Sequence, residues 1–229
     1  MVKLDASKKN IRELNVALKK AAEQGEEIQV IHPAARHNLA VCILKPCKIL
    51  FEGSVGYYCA SMLEGPEVLV KGNAGWGFGE HLFSGSIRLT QSASLGAGAS
   101  MKGGELVIEG DAGSRTGISM KGGLLVVGGN SGYLTGFIMQ KGKIIIGGDV
   151  GDAAGDSMYE GLIFVGGKIS SLGTDAQVAE SKPEEIRLIE ETLHRLKIKS
   201  PKTARWQTIS SKKTLYHFDK LDLKDRHVV

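Results

Sequence analysis

The chain has few cysteines, no long apolar run and none of the short motifs that mark common catalytic sites. Only three cysteines, Cys42, Cys47 and Cys59, occur in 229 residues, with no CxxC pair and no histidine at ligand spacing beside them. This argues against a metal or cluster framework and leaves buried or free thiols. No 18-residue apolar stretch is present, and Met1-Val2-Lys3-Leu4-Asp5 lacks the apolar core of a secretion signal. No membrane span and no signal peptide are therefore expected, and a cytoplasmic location is. No GxGxxG opens a helix after a strand, no Gly-Lys precedes Ser or Thr, and neither GxSxG nor HExxH occurs. The formal net charge of +4 is mild, and no nucleic-acid partner is expected. Acid is missing in one place: Lys197 to Lys213 holds six basic residues and no carboxylate. Such a run reads as a solvated tail or as a dock for an acidic partner.

Glycine is abundant instead, with 31 residues, and its spacing decides the fold. In steps of 19 from Gly53 come Gly72, Gln91, Gly110, Gly129, Gly148 and Gly167. Three residues after these anchors stand Gly56, Gly75, Ser94, Gly113, Gly132 and Gly151; seven after stand Ala60, Gly79, Gly98, Gly117, Gly136 and Gly155. The columns four and two residues before the anchor are aliphatic or Phe throughout, from Ile49 and Phe51 to Ile163 and Val165. Ten residues after it run Leu63, Leu82, Met101, Met120, Met139 and Met158. Alternate apolar residues make short strands with one dry face, and glycines suit the corners. The expected fold is an all-β, right-handed β-helix of about seven 19-residue turns, with short helical caps at each end. The polar column after the anchor (Ser54, Asn73, Ser92, Asp111, Asn130, Asp149) is expected to bond its own turn's backbone.

Outside the repeat, three segments divide the chain: a cap over 1–48, the β-helix over 49–174, and a helix with a basic extended tail over 175–229. In the leader, Ile11, Leu14, Leu18 and Ala21 predict a helix N-capped by Ser7 and stopped at Gly25, followed by strands at Ile28–Ile31 and Leu39–Leu44. After the repeat, Ser181 with Glu184 predicts a capping box, and Ile186, Ile189, Leu193 and Leu196 form an apolar stripe. An extended tail is expected from Thr208 to Phe218.

Candidate sites are few, and catalytic, cofactor-binding and metal residues are not expected. His32 and His37 lie near Arg36, and His81 sits in an aromatic-rich loop with Trp76, Phe78 and Phe83 that reads as an interaction surface. Asp149, Asp152 and Asp156 are close in sequence, but two of them fall in variable polar columns. One column points to a partner. Leu50, Leu69, Arg88, Val107, Val126, Ile145 and Phe164 face away from the core yet are apolar in six of seven turns, so something must cover them. The terminal helix is expected to cover part, and the bare end to form a subunit interface, homo-oligomeric when the protein is prepared alone. The interface candidates are Leu69, Val107, Val126, Ile145, Phe164, Trp76 and Phe78.

The GxxGxxxG repeat, with strands such as Leu106-Val107-Ile108-Glu109-Gly110-Asp111-Ala112-Gly113 and a Met closing each turn, resembles the GXGXG domain at the carboxyl end of glutamate synthase large subunits, and the related β-helical component of formylmethanofuran dehydrogenase. Ile31-His32-Pro33, Arg36-His37, Val55-Gly56-Tyr57-Tyr58-Cys59-Ala60, Asp156-Ser157-Met158-Tyr159-Glu160, Ser171-Leu172-Gly173-Thr174-Asp175 and Leu215-Tyr216-His217-Phe218 resemble stand-alone GXGXG subunits of the N-methylglutamate synthase type. The resemblance implies a scaffold without catalytic residues, bridging a glutamine amidotransferase subunit and an FMN-binding synthase subunit, with FMN and iron–sulfur clusters in those partners and no cofactor here. Gln91 and Ser94 depart from the glycine pattern. A self-assembling structural β-helix is the reading from another class.

Overall fold

The alternating aliphatic columns become strands stacked one period apart. The structure, a computed structural model that describes residues 1–199 and 205–212, is a parallel β-solenoid. β1 (Val2–Asp5), α1 (Ile11–Glu23) and β2 (Ile28–Ile31) precede the repeat. Its rungs are β3 (Lys48–Glu52), β4 (Glu64–Val70), β5 (Ser84–Leu89), β6 (Glu105–Ile108), β7 (Lys121–Val127), β8 (Lys141–Ile146) and β9 (Leu162–Val165). β10 (Ala176–Glu180), α2 (Pro183–Leu196) and β11 (Gln207–Ser211) follow. Leu106 pairs with Leu125, Leu125 with Ile144 and Ile144 with Ile163, so each core side chain sits on its counterpart from the previous turn. Both aliphatic columns and the Leu/Met row are buried along the whole repeat. A second line of single parallel bridges runs Val55, Ala74, Ala93, Ala112, Ser131, Val150, Ile169 on another side of the coil.

Between that line and the Met row, the backbone turns through left-handed residues at alternate positions. In the turn anchored at Gly110 these are Arg115, Gly117 and Ser119, with φ of 59°, 68° and 55°. Their N–H groups point alternately up and down: Arg115 donates to the Tyr133 carbonyl of the next turn (2.7 Å), and Gly117 donates to Ala97 of the previous one (2.8 Å). The middle position needs glycine most, because its Cβ would aim into the core; at Gly136 (φ +71°) it would stand 2.5 Å from Ile163 Cδ1.

Several local expectations are corrected. The polar column does not bond its own turn. Asp111 Oδ1 accepts from Asn130 N (2.7 Å), Asn130 Oδ1 from Asp149 N (2.8 Å) and Asp149 Oδ1 from Lys168 N (2.7 Å), each one period later. That ladder accounts for the anchor glycines: a Cβ on Gly148 would lie 2.3 Å from Asn130 Oδ1. Leu39–Leu44 is not a strand; it is the inward-packed return of the first turn, with Leu39, Ala40 and Ile43 buried and Ala60 N donating to Leu39 O (2.9 Å). Residue 48 marks where the glycine repeat starts, not where the sheet starts, since β1 and β2 already pair in parallel with each other, and β2 with β3. Asn10 rather than Ser7 caps α1, in a capping box with Glu13. Ser7 is held by Asp5 instead.

At the far end the solenoid is closed by its own chain. β11 pairs antiparallel with β9, and β10 pairs antiparallel with β11, so residues 208–211 of the expected tail are sheet. The rest of that tail, with Leu215-Tyr216-His217-Phe218 and Lys213, lies outside the described residues, as does Lys202. The N-cap of α2 is Lys182, whose N–H donates to Glu185 Oε2 (2.8 Å). Ser181, one residue earlier than the cap, joins a buried chain with Thr208 (2.8 Å), which donates onward to Glu185 (2.9 Å), tying the helix start to β11.

Candidate docking site

From β11's end of the sheet, α2 runs back across the outward face of the rungs. Its stripe packs Ile189, Leu193 and Leu196 on Val107, Val126, Ile145 and Phe164, with Trp206 beside them. Fourteen residues make a helix ~21 Å long, enough for about four rungs at ~4.8 Å each. Four of the interface candidates, Val107, Val126, Ile145 and Phe164, are therefore covered within the chain, each at most 2% exposed. They are not available to a partner.

The helix stops where the row turns polar. Arg88, the one charged member, donates from its guanidinium to the Leu196 carbonyl at the end of α2 (2.8 Å) and pairs with Glu109 (2.7 Å). Its cation stands at the negative end of the helix dipole. Beyond it the row is bare. Leu69 and Leu50 are half-buried and line an open hollow of about 380 Å³ with Ile28, Lys48, Glu67 and Arg88.

A second exposed feature lies on the corner of the early turns. His37 stacks on Tyr57 (centroids 4.2 Å apart, planes at 16°), and Tyr57 stacks on Trp76 (4.8 Å, 9°). Tyr57 N donates to His37 Nδ1 (2.9 Å), which fixes the first ring. Trp76 is 47% exposed, Tyr58 45% and Met62 43%, so Trp76 lies at the surface as expected. Phe78 does not. It is fully buried in the core cluster, in the column of Cys59, Ala97, Thr116, Thr135 and Ala154, which points inward in every one of these turns. His32 is apart from His37, paired to Asp5 at 3.1 Å. Hydrogen bonds from Ser7 and then His32 hold the Asp5 carboxyl down at about 2. His81 faces Glu80 at 3.4 Å.

The remaining groups with chemical potential are tied into the backbone. Asp149 serves the ladder, Asp152 accepts from Ser171 Oγ (3.0 Å), and Asp156 accepts from Ser157 Oγ (2.7 Å) and Thr174 N (3.2 Å). No trio of His, Cys, Asp or Glu is gathered for a metal among the described residues. Burial pushes the Cys59 thiol far up and the Cys47 thiol up as well, the opposite of what a reactive thiolate needs. Among the described residues no helix is long and apolar enough to cross a membrane.

A cluster of lysines was not apparent from the sequence. Lys102, Lys121, Lys141 and Lys143 gather along the edge of α2 around an open groove of about 700 Å³. They form a near-periodic column, but each residue alone reads as a solvated charge.

A family described as the GXGXG motif matches residues 34–222. Among solved structures, the chain is similar to one in the formyltransferase/hydrolase complex FhcABCD from Methylorubrum extorquens in complex with methylofuran, with a TM-score of 0.53 and 25% sequence identity, over 66% of this chain and 67% of that one. No curated protein sequence matches.

Proposed function

The chain belongs to the GXGXG motif family, and from that membership we propose that it is a docking scaffold, a non-catalytic member of a multi-subunit enzyme. The observation that carries the reading is the unfinished outer face. α2 covers the row from Val107 to Phe164 and ends at Arg88, while Leu50 and Leu69 continue the same apolar row without cover. Burying an aliphatic side chain is worth roughly 1.5–3 kcal/mol, so a partner that extends the helix layer over these rungs gains from it. The stacked Tyr57 and Trp76 add the aromatic composition of interface centres. Engagement of the carboxylates in the inter-turn ladder supports a structural role for them over an acid–base one.

Within this reading the complex is of glutamate-synthase type, close to N-methylglutamate synthase, and the partners are a glutamine amidotransferase subunit and an FMN-binding synthase subunit. The likeness to a formyltransferase/hydrolase complex favours a second reading, in which the scaffold serves a formyl-transferring assembly. Alone, the chain is expected to self-associate through the bare rungs. Co-expression of the tagged chain with the products of neighbouring reading frames distinguishes the two. A co-purified complex with flavin absorbance and glutamine-dependent turnover is expected; formyl transfer by the complex selects the second reading. Either turnover by the isolated chain overturns the scaffold proposal.

A further inference from the structure

Four lysines stack along the groove beside α2. Lys121 and Lys141 are direct partners in the β7–β8 pairing, and Lys121 N donates to Met101 O, which places Lys102 one rung away. Lys143 enters the same hollow from β8, opposite Leu124 of β7. All four side chains are exposed. Lys102 rests its ammonium 4.7 Å from the Phe83 ring centre, and Lys121, Lys141 and Lys143 have no ion-pair partner among the described residues. No carboxylate lines the hollow.

Like charges facing each other on neighbouring strands work against a sheet, and a solenoid that repeats a residue column multiplies the effect. Elsewhere the surface pairs its charges across rungs, as Lys71 does with Glu52 (3.0 Å) and Arg195 of α2 with Glu105 (2.5 Å). Here three successive turns place a cation in the same position with no ion pair to balance it. An anion lying along the groove removes that repulsion.

The shape narrows the class. The cations spread over two rung spacings, roughly 10 Å, which exceeds the reach of a single compact anion. Leu124, Leu162 and Leu188 form apolar lining beside them. An extended polypeptide, whose side chains alternate in direction, can present carboxylates to the lysines and apolar groups to the leucines at once. We propose that this groove takes an acidic segment of a partner protein, with carboxylates alternating with apolar residues. The inference rests on the scaffold reading and adds a second, polar contact distinct from the bare rungs at Leu50 and Leu69.

The test uses the purified full chain and a fluorescein-labelled peptide of alternating glutamate and valine, followed by fluorescence polarisation. A glutamine–valine peptide of equal length is the neutral control. The parent chain is expected to bind the acidic peptide and not the neutral one, with affinity falling as salt rises. Lys102→Gln, Lys121→Gln and Lys141→Gln together should weaken binding about tenfold, while Arg12→Gln, Lys19→Gln and Lys20→Gln on the exposed face of α1, which remove the same charge, should change it less than about twofold. The lysines are exposed, so the variant should melt with the parent; if it does not, the salt dependence and peptide selectivity of the parent still decide. Equal loss in both triple variants, equal binding of the neutral peptide, or inorganic triphosphate binding as tightly as the acidic peptide would overturn the proposal. Those failures leave the scaffold reading standing, because assembly through Leu50 and Leu69 is measured separately.

Discussion

Glutamate at both Val126 and Ile145 is expected to leave the protein without a stable fold. Both side chains are fully buried between the rungs and α2, against Ile189 and Leu193. Each substitution forfeits roughly 1.5–3 kcal/mol of apolar burial. It also places a carboxyl where no partner waits, at a further cost of several kcal/mol whether the group stays ionised or takes up a proton. The pair together approaches the whole stability of a typical domain, ~5–15 kcal/mol. In a thermal melt followed by circular dichroism, the cooperative transition should vanish or fall by more than about 15 °C. A variant that melts within a few degrees of the parent would mean that α2 does not sit on these rungs.

Valine at Gly136 is expected to cost nearly as much per residue, for a different reason. The backbone there is left-handed, with φ of +71°, a region that costs a residue with a Cβ roughly 1–2 kcal/mol and a β-branched residue more. Its Cβ would also stand 2.5 Å from Ile163 Cδ1 and 3.4 Å from Cγ1, so the branched side chain overpacks the core of the next turn, adding about 1–3 kcal/mol. The collision is with core side chains, not with the backbone of the neighbouring turns. Alanine is the informative comparison, since Ala60 occupies the same column with φ of 57°. Gly136→Ala should lower the melting temperature by a few degrees and Gly136→Val by about 10 °C. Equal effects would show that shape inside the core is not what the glycine protects.

The period made the solenoid legible before any coordinates, because a strict 19-residue recurrence of two aliphatic columns has few other physical solutions. What it hid were interactions one period away. Asp111 and Asn130 look like ordinary turn formers, and only stacking shows that each bonds the backbone of the following turn and so forbids a Cβ at the anchor beside it. The outer row was visible as an apolar column, but its division into a covered and a bare part depends on where the chain re-enters after β10. Starting α2 at Pro183 beside β11 carries its stripe only as far as Leu196 and Arg88. Thr208 to Ser211 carry no strand pattern that sets their position, because their pairing with β9 and β10 is tertiary. Phe78 was misplaced on the surface because its neighbours Trp76 and Phe83 are exposed, while its own column packs inward.

If a partner docks on the uncovered end of the outer face, Leu50→Glu combined with Leu69→Glu should break the complex, measured by size exclusion with light scattering on the chain co-expressed with its partner subunits. Both leucines are half-buried at the lip of an open hollow, so the doubly substituted chain should melt within about 2 °C of the parent when purified alone. It is predicted to elute apart from its partners, while the parent elutes with them. Co-elution of the substituted chain with the same partners at the same stoichiometry would contradict docking at these rungs.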